Sequence, residues 1–91
     1  MKKILDIYIS DNCSLCKEFK IKLKDFQEAS VNQDRFDFRY HTVEKVEGVW
    51  KLEGRNANIP GVPALYIDGK LIVGDKSLEY LNGKKVQVSD N

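Results

Sequence analysis

The sequence lacks any long run of apolar residues and contains few cysteines, histidines and prolines. Its 91 residues include two Cys, one His and two Pro. No stretch approaches the roughly 20 consecutive apolar residues that a membrane-spanning helix needs, so we expect no membrane segment. Lys+Arg number 15 and Asp+Glu number 14, which gives a formal net charge of +1. Because positive charge is not in bulk excess, we expect neither nucleic acid nor a membrane as a partner.

The start of the chain also lacks the pattern of a secretory signal. Lys2–Lys3 is followed by only a short apolar run before Asp6 interrupts it, so we expect a cytoplasmic protein. A disulfide between Cys13 and Cys16 would close a very small loop, which removes little entropy from the unfolded chain. The pair is therefore a poor structural cross-link, and a chemical role is the better interpretation.

Ligands for a zinc ion are scarce as well. A structural zinc site uses about four Cys, His or carboxylate ligands. Beyond the two cysteines the chain offers a single imidazole, that of His41. We therefore expect no metal site within the chain and interpret His41 as an exposed strand residue.

The hydrophobic periodicity predicts one small α/β domain over residues 1–83 and a loosely ordered polar tail over residues 84–91. Apolar residues recur at spacings of three and four from Cys16 to Phe26, which is typical of a helix with one buried face. The alternation from Phe36 to Tyr40 instead predicts a half-buried strand. The predicted strands are Ile4–Ser10, Arg35–Val43, Val62–Ile67 and Lys70–Val73, and the predicted helices are Ser14–Ser30, Glu44–Gly54, which includes a partly covered Trp50, and Asp75–Leu81.

The order of these elements, β-α-β-α-β-β-α, predicts a mixed four-stranded sheet flanked by helices. A strand-helix-strand start implies a right-handed crossover and a parallel pair of strands. Asp68-Gly69 between two apolar runs indicates a hairpin, which adds two antiparallel strands. The predicted fold class is therefore α/β.

The cysteine pair lies where the first predicted strand passes into the first helix, with Asn12 or Ser14 available as the helix cap. Backbone N–H groups and the helix dipole favour negative charge at a helix start. The thiolate is the reactive form of cysteine, and its pKa falls from ~8.5 towards about 3.5–7.5 in such settings. The spacing places Cys16 almost one turn beyond Cys13, facing the core. We therefore predict that Cys13 attacks a target disulfide and that Cys16 resolves the mixed disulfide.

Two separated segments make the chain resemble the thioredoxin-fold superfamily, and in size it is most similar to glutaredoxins and small glutaredoxin-like thioredoxins. The first segment is CSLCK at Cys13–Lys17, and the second is VPALYIDGK at Val62–Lys70. The second resembles the family's strand that opens with a cis proline and turns at Asp-Gly. The resemblance covers Ile4–Leu81 and implies a thioredoxin fold.

The resemblance further implies a thiol-disulfide oxidoreductase with Cys13 and Cys16 as catalytic residues. It implies a cis Val62-Pro63 peptide bond beside them, where the Val62 backbone pairs with an extended substrate in a strand-like manner. The candidate substrate-binding residues surround the cysteines, the proline and the end of the hairpin: Asn12, Leu15, Lys17, Val62, Pro63, Gly74, Asp75 and Ser77.

The resemblance implies partners but leaves the electron donor open. We expect a monomer without a tightly bound cofactor that acts on disulfide-bearing proteins or glutathione and is served by a reductase. Val73 and Lys76 stand where glutaredoxins usually have a glycine and an acid, so the donor is either glutathione, as a co-substrate, or a flavoprotein reductase. Two other functions stay open: an iron–sulfur carrier that holds a cluster between the Cys13 thiolates of two subunits, and a redox-inactive interaction module.

Overall fold

Strand β1 (Lys3–Ile9) is an interior strand of the main sheet, with a neighbouring strand on each side. In the computed structural model, which describes residues 2–74, 76–81 and 89–90, the chain has a mixed α/β architecture. No helix within these ranges is long and apolar enough to cross a membrane. The elements after β1 are α1 (Ser14–Glu28), α2 (Ser30–Arg35), β2 (Phe36–Thr42), β3 (Glu44–Val46), β4 (Val49–Leu52), β5 (Arg55–Asn56), β6 (Ala64–Ile67), β7 (Lys70–Val73), α3 (Lys76–Leu81) and β8 (Ser89–Asp90).

The main sheet has the strand order β2-β1-β6-β7-β8. β1 and β2 are parallel, whereas β6 is antiparallel to both β1 and β7. The predicted parallel pair and the predicted hairpin at Asp68-Gly69 are therefore confirmed. The prediction of four strands is one strand short, because Ser89–Asp90 pairs with β7. These two residues of the predicted loose tail are thus part of the sheet, while residues 82–88 and 91 lie outside the described residues.

The core lies between α1, α3 and one face of the sheet. The stripe that predicted α1 is buried, with Cys16, Phe19 and Leu23 at most 1% exposed. These side chains pack against Leu5, Ile7 and Ile9 of β1 and against Leu81 of α3. Since alternate residues of a strand point to opposite faces, the intervening residues of β1 lie on the other side of the sheet.

The predicted helix over Glu44–Gly54 is wrong, because this segment forms a second, three-stranded sheet in the order β3-β4-β5. Its two turns each contain a Glu-Gly pair with positive φ at both residues: 51° and 79° at Glu47 and Gly48, and 51° and 80° at Glu53 and Gly54. Two adjacent residues with positive φ form the tight turn that matches the twist of a hairpin. Trp50 consequently lies half-buried on β4, with the Lys45 ammonium 5.7 Å from the centre of its ring.

Candidate dithiol site at the start of helix α1

Three strand ends place the candidate site at one end of the main sheet. Tyr8 of β1 pairs with Ala64 of β6, and Ala64 pairs with Val73 of β7. The loop that leads to Cys13 follows β1, the predicted cis proline directly precedes β6, and Gly74 directly follows β7. The Gly74 N–H donates to the Pro63 carbonyl over 2.8 Å, which ties two of these segments together. Sheet topology therefore brings the two motifs of the sequence to the same end of the fold.

Cys13 is itself the N-cap of α1, in place of the predicted Asn12 or Ser14. Its backbone is extended, with φ −116° and ψ 111°, and its Sγ accepts a hydrogen bond from the Cys16 N–H at 3.0 Å. A cap side chain satisfies one of the N–H groups that a helix start leaves unpaired. Because an N–H donor and the helix dipole both favour negative charge, this position suits a sulfur that reacts as a thiolate.

Cys16 lies one turn further along α1, with a sulfur that is buried in the core. The residue is 1% exposed, and burial is the largest cause that raises the pKa of its thiol to about 11. A hydrogen bond to the Cys13 side chain and charge on Cys13 raise this pKa further, whereas a hydrogen bond from the Ser10 backbone and the nearby Lys20 lower it. Cys16 is therefore a neutral thiol at physiological pH, and both cysteines are free.

The cis proline predicted by resemblance is present. The Val62-Pro63 peptide bond is cis. Pro63 is less than 2% exposed, and Val62 and Cys13 are both half-buried against the core cluster. The proline thus lies buried directly before β6, at the same end of the main sheet as the cysteine pair.

The remaining predicted substrate-binding residues differ in accessibility. Asn12 and Lys17 are exposed, and Leu15 is 56% exposed beside the cysteines. Ser77 is fully buried, and its hydroxyl donates to the Gly74 carbonyl over 2.6 Å. That hydroxyl is therefore engaged within the chain. Asp75 lies outside the described residues.

A second polar cluster, on the other face of the sheet, was not predicted. His41 Nε2 lies 2.8 Å from Asp6 Oδ1, and the His41 ring stacks on Tyr8 at 5.1 Å between centroids. The prediction of His41 as an exposed residue is therefore wrong, because the imidazole is half-buried between these partners. The parallel register that aligns Tyr8 with His41 produces this cluster, and no local motif indicates that register.

The thiol of Cys16 makes stability depend on pH in a definite direction. Its pKa is raised from 9.0 to about 11 in the folded state, so the folded state retains a proton that the unfolded state loses. The contribution of the protonated Cys16 thiol to folding stability is complete below pH 9 and is lost as the pH rises through 11. This loss lowers the free energy of unfolding by about 2–3 kcal/mol. Urea unfolding of the reduced protein across this pH interval should show this loss of stability. The Cys16→Ala variant should lose less stability over the same interval. Parallel pH profiles of the two proteins would contradict the placement of Cys16.

No group of three or more His, Cys, Asp or Glu side chains in the described part of the chain is arranged to hold a metal ion. In comparisons with known proteins, no family model, no curated protein and no solved structure matches the chain.

Proposed function

We propose that the protein is a thiol-disulfide oxidoreductase of the glutaredoxin/thioredoxin type, built on a thioredoxin-like fold. The observation that supports this most is the asymmetry of the cysteines. Cys13 caps a helix, accepts an N–H hydrogen bond and is half-exposed, whereas Cys16 is protonated and buried one turn below. The order β2-β1-β6-β7, with α1 and α3 on one face, supports the fold assignment. The β3-β4-β5 sheet stands where the resemblance implies a helix.

The proposed reaction transfers two electrons from the protein to a target disulfide. The Cys13 thiolate attacks one sulfur of the target, the target S–S bond breaks, and the leaving thiolate takes up a proton. Cys16, after losing its proton, attacks Cys13 Sγ and releases the second target thiol. The protein ends with a Cys13–Cys16 disulfide and the target with two thiols, so the dithiol is oxidised and the target is reduced.

The surroundings of Cys16 provide a reason why its proton leaves only at the second step. Two of the causes that raise its pKa, the hydrogen bond to Cys13 and charge on Cys13, depend on a free Cys13 sulfur. Both disappear when Cys13 enters a mixed disulfide, while the Ser10 backbone and Lys20 continue to favour the Cys16 thiolate. Formation of the mixed disulfide therefore removes two of the three causes that raise the pKa of Cys16, while burial, the largest, remains.

In this proposal the substrate-binding site lies between the start of α1 and the cis proline. An extended segment of a target protein or glutathione pairs with the Val62 backbone in a strand-like manner. Leu15, the exposed apolar side chain beside the cysteines, contacts the substrate, with Asn12 and Lys17 at the rim. Glutathione and a flavoprotein reductase both remain candidates for the electron donor, and the proposed setting is the cytoplasm.

Trapping with Cys16→Ser tests the assignment of roles. This variant should stay covalently attached to its targets through Cys13, because the resolving thiol is absent, and a thiol reductant should release them. Cys13→Ser is the matched control and should trap nothing, since its remaining thiol is buried and protonated. If Cys13→Ser traps targets instead, the roles are reversed. If neither variant forms a mixed disulfide with any protein or with glutathione, the proposed function is wrong.

A further inference from the structure

The outer edge of β2 offers unpaired backbone groups. β2 is the terminal strand of the main sheet, and no other described strand pairs with its outer edge. The Val43 N–H donates to the Ile9 carbonyl over 2.8 Å, so the odd-numbered residues here point their backbone groups towards β1. Since these directions alternate along a strand, Phe38 and Tyr40 direct their N–H and C=O groups away from the sheet. An exposed edge of this kind is a template for another strand.

The N-terminal end of this edge is partly occupied by the chain itself. The Phe36 N–H donates to the Asn32 carbonyl and closes α2. The Phe36 carbonyl remains directed outward, as do both backbone groups of Phe38 and Tyr40. A strand added at this edge therefore finds a free backbone carbonyl at Phe36. At Phe38 and at Tyr40 it finds both a backbone N–H and a backbone carbonyl.

Charged side chains make this edge complementary to itself. Asp37 and Arg39 lie on one face of β2, where Arg39 Nη2 is 3.0 Å from Asp37 Oδ2. An antiparallel copy of β2 centred on Phe38 places Asp37 opposite the partner's Arg39, and Arg39 opposite the partner's Asp37. Opposite charges directly across an antiparallel pair are stabilising, and like charges are destabilising.

We propose that the protein forms a symmetric homodimer through the outer edges of two β2 strands, which joins the two main sheets into one. Phe38 exchanges both backbone hydrogen bonds with the partner's Phe38, and each Tyr40 N–H donates to the partner's Phe36 carbonyl. This pairing supplies about four hydrogen bonds at alternate residues and leaves the Phe36 N–H in α2. The dimer differs from the monomer expected from the sequence and does not depend on the proposed redox function.

The charges also select the register. Residues 37 and 39 occupy the positions of an antiparallel pair without hydrogen bonds, where side chains across the pair come closest. A pairing centred on Arg39 would place two guanidinium groups opposite each other, and a pairing centred on Tyr40 would place Arg39 opposite the partner's His41. Of these registers, only the one centred on Phe38 places both Asp37 and Arg39 opposite side chains of opposite charge.

The other face of the same edge is an open groove of about 710 Å³ between α1 and β2. Its apolar lining includes Phe36, Phe38 and two exposed side chains, Ile21 at 68% and Tyr40 at 41%. Phe36, Phe38 and Tyr40 stand on the face opposite the charged pair, so a second β2 strand brings equivalent rings beside them. Aromatic pairs across neighbouring strands add to the stability of a sheet.

Sedimentation equilibrium under reducing conditions tests the proposal, because a reductant removes dimers linked by disulfides. The wild type should dimerise as its concentration rises. Asp37→Arg and Arg39→Asp each place like charges opposite one another, so each should raise the dimer dissociation constant about tenfold or more. An equimolar mixture of the two variants should form a heterodimer, because the two arginines of one chain then face the two aspartates of the other. The double variant Asp37→Arg/Arg39→Asp should dimerise like the wild type.

Two exposed residues on the far side of α1 provide controls with the same changes in charge. Asp25→Arg and Lys22→Asp should leave the dissociation constant unchanged, because neither residue lines the groove. Circular dichroism should confirm that all variants are folded. A wild type that stays monomeric up to millimolar concentration would overturn the proposal. A dimer that tolerates both single reversals, or a mixture that fails to associate, would place any interface elsewhere and would equally overturn it.

Discussion

Cys13→Ser should lower disulfide reductase activity by about 10³-fold or more, to the level of the uncatalysed reaction. A serine hydroxyl is not a nucleophile at neutral pH without an activating base, and loss of a nucleophile commonly costs several orders of magnitude in rate. The buried thiol of Cys16, with its pKa near 11, offers no substitute. The measurement is turnover of a small disulfide and of a protein disulfide, with each candidate electron donor supplied separately.

Cys16→Ser is the informative companion to this variant. It retains the proposed attacking sulfur, so it should still form a mixed disulfide at a rate near that of the wild type and fail only at resolution. Ser14→Ala, which changes a residue between the cysteines and leaves both sulfurs in place, should retain activity. If Cys13→Ser is as active as the wild type, Cys13 is not the nucleophile. If the wild type turns over with neither donor, the interpretation as a redox-inactive interaction module gains support.

Leu23→Ala should lower the free energy of unfolding by about 2–5 kcal/mol, the usual range for a leucine removed from a packed core. Leu23 is 0% exposed and packs in the cluster that joins α1 to β1. For a domain of this size, with roughly 5–14 kcal/mol of total stability, the loss is a large share. Urea unfolding monitored by circular dichroism measures it.

Leu15→Ala is the matched control for this prediction. It removes the same atoms from the same helix at a position that is 56% exposed, so it should change stability by no more than about 0.5 kcal/mol. Its effect should instead appear in the reaction with substrate, because Leu15 borders the cysteines. Equal losses of stability for Leu15→Ala and Leu23→Ala would contradict the assignment of the buried face of α1.

The elements with strong periodicity were predicted well from the sequence. Helix α1 follows its apolar stripe, and β2 follows the alternation of Phe36, Phe38 and Tyr40, whose rings share the face of the strand beside α1. In both elements a single period extends over enough residues to identify the side chains that share one face. The hairpin at Asp68-Gly69 was equally clear, because positive φ at both turn residues, 52° and 76°, suits these residue types.

The prediction of a helix from Glu44 to Gly54 was wrong for a physical reason. Its strands are three and four residues long, too short for a period of two to stand out from a helical spacing. Its turns depend on Glu47 and Glu53 in a backbone conformation that glutamate rarely adopts. The repeated Glu-Gly pairs, each beside a short apolar run, were the only local indication of two hairpins.

The sequence by itself determined the candidate nucleophile and its partner, because the spacing of two cysteines at a strand-to-helix junction is a local property of the chain. Only the tertiary structure decided what surrounds them: that Cys13 rather than a neighbour caps α1, that burial keeps Cys16 protonated, and that Asp6 pairs with His41 across two strands. The burial of Cys16 and the Asp6–His41 contact depend on packing and register between segments distant in the chain, whereas the cap depends on the local backbone geometry at Cys13. Periodicity shows which face of an element is buried, but only packing shows what that face meets.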